Sequence, residues 1–188
     1  CLAAEAAARR AVETGRDAMP AWHRLGVQRR AGILRAAAAG MRTRRFDLAA
    51  LQVFEVGKPW READADVAEA IDFCEYYAGE AERLFAPRHV NVPGEENVTM
   101  HAPRGVAVVI APWNFPLAIL CGMTSAALVT GNAVVMKPAE QSSLVGLRLF
   151  EILREAGVPE GVLAFLPGRG EVVGPVLVSH PDTAIIAF

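Results

Sequence analysis

The chain has 188 residues and a formal net charge of -2, with 53% hydrophobic and 21% charged residues. That apolar content suffices for one domain with a sizeable core, and it excludes a disordered chain. The near-neutral charge excludes a general nucleic-acid binder.

Residues 2–14 are Ala-rich and free of Pro, which predicts a helix with Gly15 as its stop. Residues 27–56 read as one or two helices. Ile33, Leu34, Ala37, Ala38 and Met41 form a helical stripe, and Gly57-Lys58-Pro59 ends the pattern. The arginines of this region (Arg29, Arg30, Arg35, Arg42, Arg44 and Arg45) read as a solvated helix face. A third helix is expected from about Arg61 to Leu84, with Val67, Ile71, Cys74, Ala78 and Ala81 at spacings of three and four. Glu62, Asp64 and Asp66 fall in its first turns, where its own dipole favours negative charge. Pro87, Pro93 and Pro103 exclude a helix over 85–104. Val90-Asn91-Val92 and the stretch from Asn97 to His101 suggest a hairpin there.

From Gly105 onward strands and helices alternate. Val106–Ile110, Ala133–Met136, Val162–Leu166 and Ala184–Phe188 are expected strands. Residues 116–130, 142–156 and 171–179 are expected helices. Alternation predicts an α/β fold with a parallel sheet and right-handed crossovers, and continuous apolar runs fit strands buried on both faces.

No uninterrupted apolar run reaches the ~20 residues of a membrane span, and no secretory signal is visible. The cysteines, Cys1, Cys74 and Cys121, are odd in number and lack metal-ligand spacing. This points to a reducing, cytoplasmic setting without a metal site. Cys1 matches the first residue of a mature lipoprotein, but it reads better as a fragment boundary.

Two motifs carry the candidate chemistry. Ala111-Pro112-Trp113-Asn114-Phe115-Pro116 follows the first strand, and Lys137-Pro138-Ala139-Glu140 follows the second. In open α/β sheets ligands bind beyond the carboxyl ends of the strands. The Asn114 amide can donate to a developing oxyanion, or cap the helix that follows. Lys137 and Glu140 can grip a ribose diol as donor and acceptor, or form a surface ion pair. Gly168-Arg169-Gly170-x-x-x-Gly174 lies between a strand and a helix, but it departs from the dinucleotide fingerprint. No Gly-x-Ser-x-Gly elbow supports an esterase.

Together these motifs resemble the aldehyde dehydrogenase superfamily over the whole chain. The stretch from Glu55-Val56-Gly57-Lys58-Pro59 through Asp72-Phe73 to Tyr76-Tyr77-Ala78 resembles its glutamate-semialdehyde (pyrroline-5-carboxylate) branch. The resemblance implies a Rossmann-like sheet in three parts: N-terminal helices over 1–84, an oligomerisation hairpin over 85–104, and the first part of the NAD-binding unit over 105–188. It implies an oxyanion hole at Asn114, serving a thiohemiacetal formed on a cysteine. Phe115 would wall the aldehyde tunnel and Glu69 would face the substrate's amino group. Ile110 and Pro112 would line the cofactor cleft, with Trp113 divided between that cleft and ordinary packing. Lys137 and Glu140 would hold the adenosine ribose, and Gly170 and Gly174 would admit the adenine. Glu140 would disfavour a 2′-phosphate by charge, which favours NAD over NADP.

The complete enzyme is expected to be a homo-oligomer acting on a small-molecule aldehyde. Its nucleophilic cysteine, its general-base Glu and the Thr-Gly-Ser that opens the pyrophosphate helix have no counterparts here. The chain alone is therefore expected to be inactive and to bind NAD weakly. The alternative is a truncated paralogue acting as a non-catalytic interaction module.

Overall fold

The computed structural model describes residues 2–188, and the expectation for Cys1 lies outside them. Four helices come first. Helix α1 (Glu5–Arg24) continues past Gly15, where a stop was expected. Packing explains it. A Cβ at Gly15 would lie 3.3 Å from Ala133 Cβ and 3.4 Å from Val106 Cγ2, so the glycine lets the helix approach the sheet closely. Pro20 also lies inside α1, on its exposed side, where water can reach the carbonyl it leaves unpaired.

The 27–56 region divides into α2 (Val27–Thr43) and α3 (Arg45–Val56). Gly57 closes α3 in the left-handed conformation, at φ 68°, which costs glycine no Cβ clash. Helix α4 (Trp60–Leu84) starts directly after Pro59.

The hairpin exists, but its strands are shorter and shifted from those expected. β1 (Arg88–His89) pairs with β2 (Val98–Thr99), Arg88 opposite Thr99, and Val92 forms only an isolated bridge with Glu95. Both strands are exposed, so no buried face pins their register.

The sheet is parallel, with strands β3 (Val106–Ile110), β4 (Ala133–Lys137), β5 (Leu163–Phe165) and β6 (Thr183–Ala187) in the order β5-β4-β3-β6. Helices α5 (Ala118–Val129), α6 (Ser143–Glu155) and α7 (Gly170–Ser179) make the crossovers. The chain steps from β3 outward to β5, then returns across the sheet to β6. Right-handed crossovers therefore place α5 and α6 on one face and α7 on the other.

The cores agree with that placement. Ala107, Val109, Val134 and Met136 face a large core shared with α2 to α6, whereas Val106, Val108, Ala133 and Val135 face a second core with α1 and α7. Strand residues alternate between the faces, and because both faces are covered the central strands read as unbroken apolar runs. β6, at the edge, is only half-buried.

Candidate active site

The two motifs leave the sheet side by side. Ile110 and Lys137 are register partners at the carboxyl ends of β3 and β4, and the Ala111 amide donates to the Lys137 carbonyl at 3.2 Å. The chain reverses its direction across the sheet between β3 and β6, so the Asn114 loop emerges where open α/β sheets form their binding crevice. Ile110 is half-buried there, and Pro112, Trp113, Asn114 and Phe115 are exposed.

The loop after β3 is held from below by two charged residues whose contacts with it the sequence did not indicate. Lys58 and Asp66 are 8% and 2% exposed. Lys58 Nζ donates to the Asn114 carbonyl at 2.8 Å, sits 3.8 Å from the centre of the Phe115 ring, and lies 3.7 Å from Asp66 Oδ1. Asp66 Oδ2 accepts from the amides of Leu117 and Ala118 at 3.2 and 3.3 Å, at the start of α5. Asp66 thus complements the dipole of α5, not that of its own helix as expected. Burial pushes its carboxyl above the usual range, against the lowering effects of Lys58 and the two amides.

This arrangement bears on Asn114 directly. The helix cap that Asn114 could have supplied is supplied by Asp66, and among the described residues the Asn114 side chain has no hydrogen-bond partner. Its amide is exposed and free to donate.

A second cluster forms at the carboxyl end of β4. Lys137 is buried at 6% exposure, and its Nζ lies 3.7 Å from Glu140 Oε1. Glu140 opens a short 3-10 turn, Glu140–Ser142, and its Oε1 accepts from the Gly170 amide at 2.7 Å, at the start of α7. Three residues singled out on separate elements therefore meet at one point. Gly174 lies one turn further along α7, and a Cβ there would meet nothing within 4 Å. Gly168, in contrast, has no room for a side chain, since its Cβ would fall 2.8 Å from Val173 Cγ1. A donor, an acceptor and an open glycine surface fit the polar ribose and flat adenine of a dinucleotide.

Glu69 lies on α4, one turn beyond Asp66, and is exposed. The structure does not join it to either cluster by a hydrogen bond.

The early arginines are not uniformly solvated. Arg35, Arg42, Arg44 and Arg45 make surface pairs with Glu82, Glu75, Glu155 and Asp64. Arg30 departs from the expectation at 1% exposure. Its guanidinium donates to the carbonyls of Val129, Trp22 and His23, joining the C-terminal ends of α5 and α1. Glu55 acts at an opposite helix end, where its carboxylate accepts from the amides of Leu144 and Val145 at the start of α6. The partners of Lys58, Asp66, Arg30 and Glu55 include backbone groups distant in sequence, which no side-chain pattern announces.

Cys74 and Cys121 are fully buried, with their sulfurs 3.5 Å apart. The hydrogen bond to Cys74, then burial, push the Cys121 thiol well up, so it is not a ready thiolate. No helix among the described residues is long and apolar enough to cross a membrane.

A parallel sheet with the two motifs at its carboxyl edge is the setting in which the family becomes evident. The aldehyde dehydrogenase family model matches residues 2–188, and the chain belongs to this family. Among its relatives, the 1-pyrroline-5-carboxylate dehydrogenase of Geobacillus thermodenitrificans (strain NG80-2) is 50% identical over 182 residues, covering 96% of this chain and 35% of that protein. Two solved structures are similar throughout. The Thermus 1-pyrroline-5-carboxylate dehydrogenase with bound NAD superposes with a TM-score of 0.95 at 49% identity, covering 99% of this chain and 36% of that one. Proline utilization A from Bdellovibrio bacteriovorus superposes with a TM-score of 0.98 at 49% identity, covering all of this chain and 20% of the other. The chain thus spans about a third of the length of the curated relatives it matches.

Proposed function

We propose that this chain forms the first part of the cofactor-binding region of an NAD-dependent aldehyde dehydrogenase that oxidises L-glutamate γ-semialdehyde to glutamate. The observation that carries the reading is the free, exposed amide of Asn114 at the end of β3, with its helix-capping duty taken by Asp66. A preorganised donor aimed at a developing oxyanion is worth about 3–4 kcal/mol. The relatives named 1-pyrroline-5-carboxylate dehydrogenase support the choice of substrate.

In this reading Asn114 donates to the oxyanion formed when a cysteine thiolate adds to the aldehyde. That cysteine is neither Cys74 nor Cys121, both sealed in the core. Phe115 walls the aldehyde's path, and Glu69 offers its carboxylate to the substrate's amino group. Lys137 donates to the adenosine ribose and Glu140 accepts from it, while Gly170 and Gly174 let the adenine lie against backbone. Ile110, Pro112 and Trp113 line the cleft between the two clusters. NAD, when bound, supplies the hydride acceptor. The exposed Val90, Val92, Val98 and Met100 of the hairpin fit a surface covered in a homo-oligomer.

The test is made on the full-length gene product that carries these residues. It should form NADH with glutamate semialdehyde faster than with simple aliphatic aldehydes. Asn114→Ala should lower kcat by about 10²–10³-fold and leave NAD binding intact. An unchanged kcat in that variant, or a preference for unrelated aldehydes, overturns the reading.

A further inference from the structure

The Lys58–Asp66 pair stands outside every function given above, yet it touches the loop that the chemistry depends on. Two side chains reach four residues of one short segment: the Asn114 carbonyl, the Phe115 ring, and the Leu117 and Ala118 amides. Both are almost wholly buried. A buried pair of this kind is a poor device for stability alone, because well-packed apolar residues do as well. The geometry is also lopsided. Asp66 Oδ1 has no partner at hydrogen-bond distance, since the ammonium 3.7 Å away points its short bond at the loop instead. The carboxylate holds the start of α5 and draws the lysine in beneath the loop. The lysine then fixes the peptide plane that follows Asn114, while the Asn114 side chain stays free.

We propose that Lys58 and Asp66 are positioning residues for the oxyanion donor, fixing the Asn114 backbone and the Phe115 ring so that the amide is presented in one orientation. The proposal rests on the aldehyde dehydrogenase reading. It separates two sites within it, because neither residue contacts Lys137, Glu140 or Gly170. Loss of the anchor therefore acts on kcat and spares the cofactor.

The experiment uses the full-length gene product with Lys58→Met, Asp66→Asn and the double variant. Lys58→Met should lower kcat on the order of 10²-fold, as displacement of a catalytic group by about an ångström does, with the KM for NAD within about twofold. The double variant should regain thermal stability, because the stranded carboxylate is gone, without regaining kcat. A kcat that recovers along with stability, or one that never falls, overturns the proposal.

If Lys58→Met does not fold, Asp66→Asn decides. It keeps an acceptor for both amides, so Leu117 and Ala118 should exchange hydrogen as slowly as in the wild type while kcat drops. Unchanged kcat there refutes the positioning claim. If the wild-type protein oxidises no aldehyde, the proposed function falls separately. Hydrogen exchange at Leu117 and Ala118 in Asp66→Ala then judges the anchor, and unaltered rates would refute it.

Discussion

Replacing Arg30 with Met tests whether one buried cation holds two helix ends together. Methionine keeps an unbranched apolar stem in the same space and removes only the guanidinium. The Val129 carbonyl then loses its donor in a buried position, at a cost of about 1–3 kcal/mol. The Trp22 and His23 carbonyls fare better, because the Leu25 and Gly26 amides still reach them. They forfeit only a charge-assisted second bond, near a helix C-terminus, of about 1 kcal/mol each. Against this stands the return of the cation's desolvation cost, visible in the way burial lowers its pKa. The balance is a loss of about 3 kcal/mol, or about 6–12 °C in Tm for a domain of this size. Thermal and urea unfolding followed by circular dichroism would measure it. Arg30→Lys should fall between, since one ammonium cannot serve three carbonyls arranged for a fork. A Met variant melting within about 2 °C of the wild type would refute the reasoning.

Further outcomes are expected. Gly174→Ala should stabilise the fold by about 0.5–1 kcal/mol, because the new methyl meets nothing and glycine in a helix is entropically costly. The same variant should weaken NAD binding in titration calorimetry, while Gly168→Ala should destabilise by about 1–3 kcal/mol through its clash with Val173. Glu140→Gln keeps an acceptor for the Gly170 amide but removes a charge, so the ratio of NADP to NAD turnover should rise; a constant ratio would show that the carboxylate does not select the cofactor. Finally, Asp66 is held above the usual carboxylate range by burial, so the folded state keeps its proton to higher pH than the unfolded chain. Its contribution to stability therefore falls as pH rises from about 4. Urea midpoints of wild type against Asp66→Asn, at about pH 4 and pH 7, should show the wild type losing ground at the higher pH.

What the sequence discloses here follows from what burial does to composition. β3 and β4 are covered on both faces, so nearly every residue must be apolar and the strands announce themselves. Asn114, Lys137 and Glu140 stand out as candidates because they are polar residues set at the ends of such runs. Gly15 misleads because a glycine is read locally as a stop, whereas its reason lies across the fold in Val106 and Ala133. The hairpin register is lost for the opposite reason, as neither strand has a buried face to declare it. Arg30, Glu55, Lys58 and Asp66 look like ordinary surface charges, since many of the groups they bind are peptide carbonyls and amides, identical at every position. Their burial is a property of the assembled layers alone.

Arg30 has a consequence in time as well as in space. It is translated 99 residues before the Val129 carbonyl that accepts its bond. At cellular synthesis rates of about 5–20 residues per second, that interval is roughly 5–20 s. Asp66 and Glu55 wait similarly for the first turns of α5 and α6, which lie 51 and 89 residues downstream at their earliest contacts. During this delay the helical layer carries anchoring charges whose partners in α5 and α6 are not yet made. Once those helices are made, the same charges become the contacts that tie the helical layer to α5 and α6.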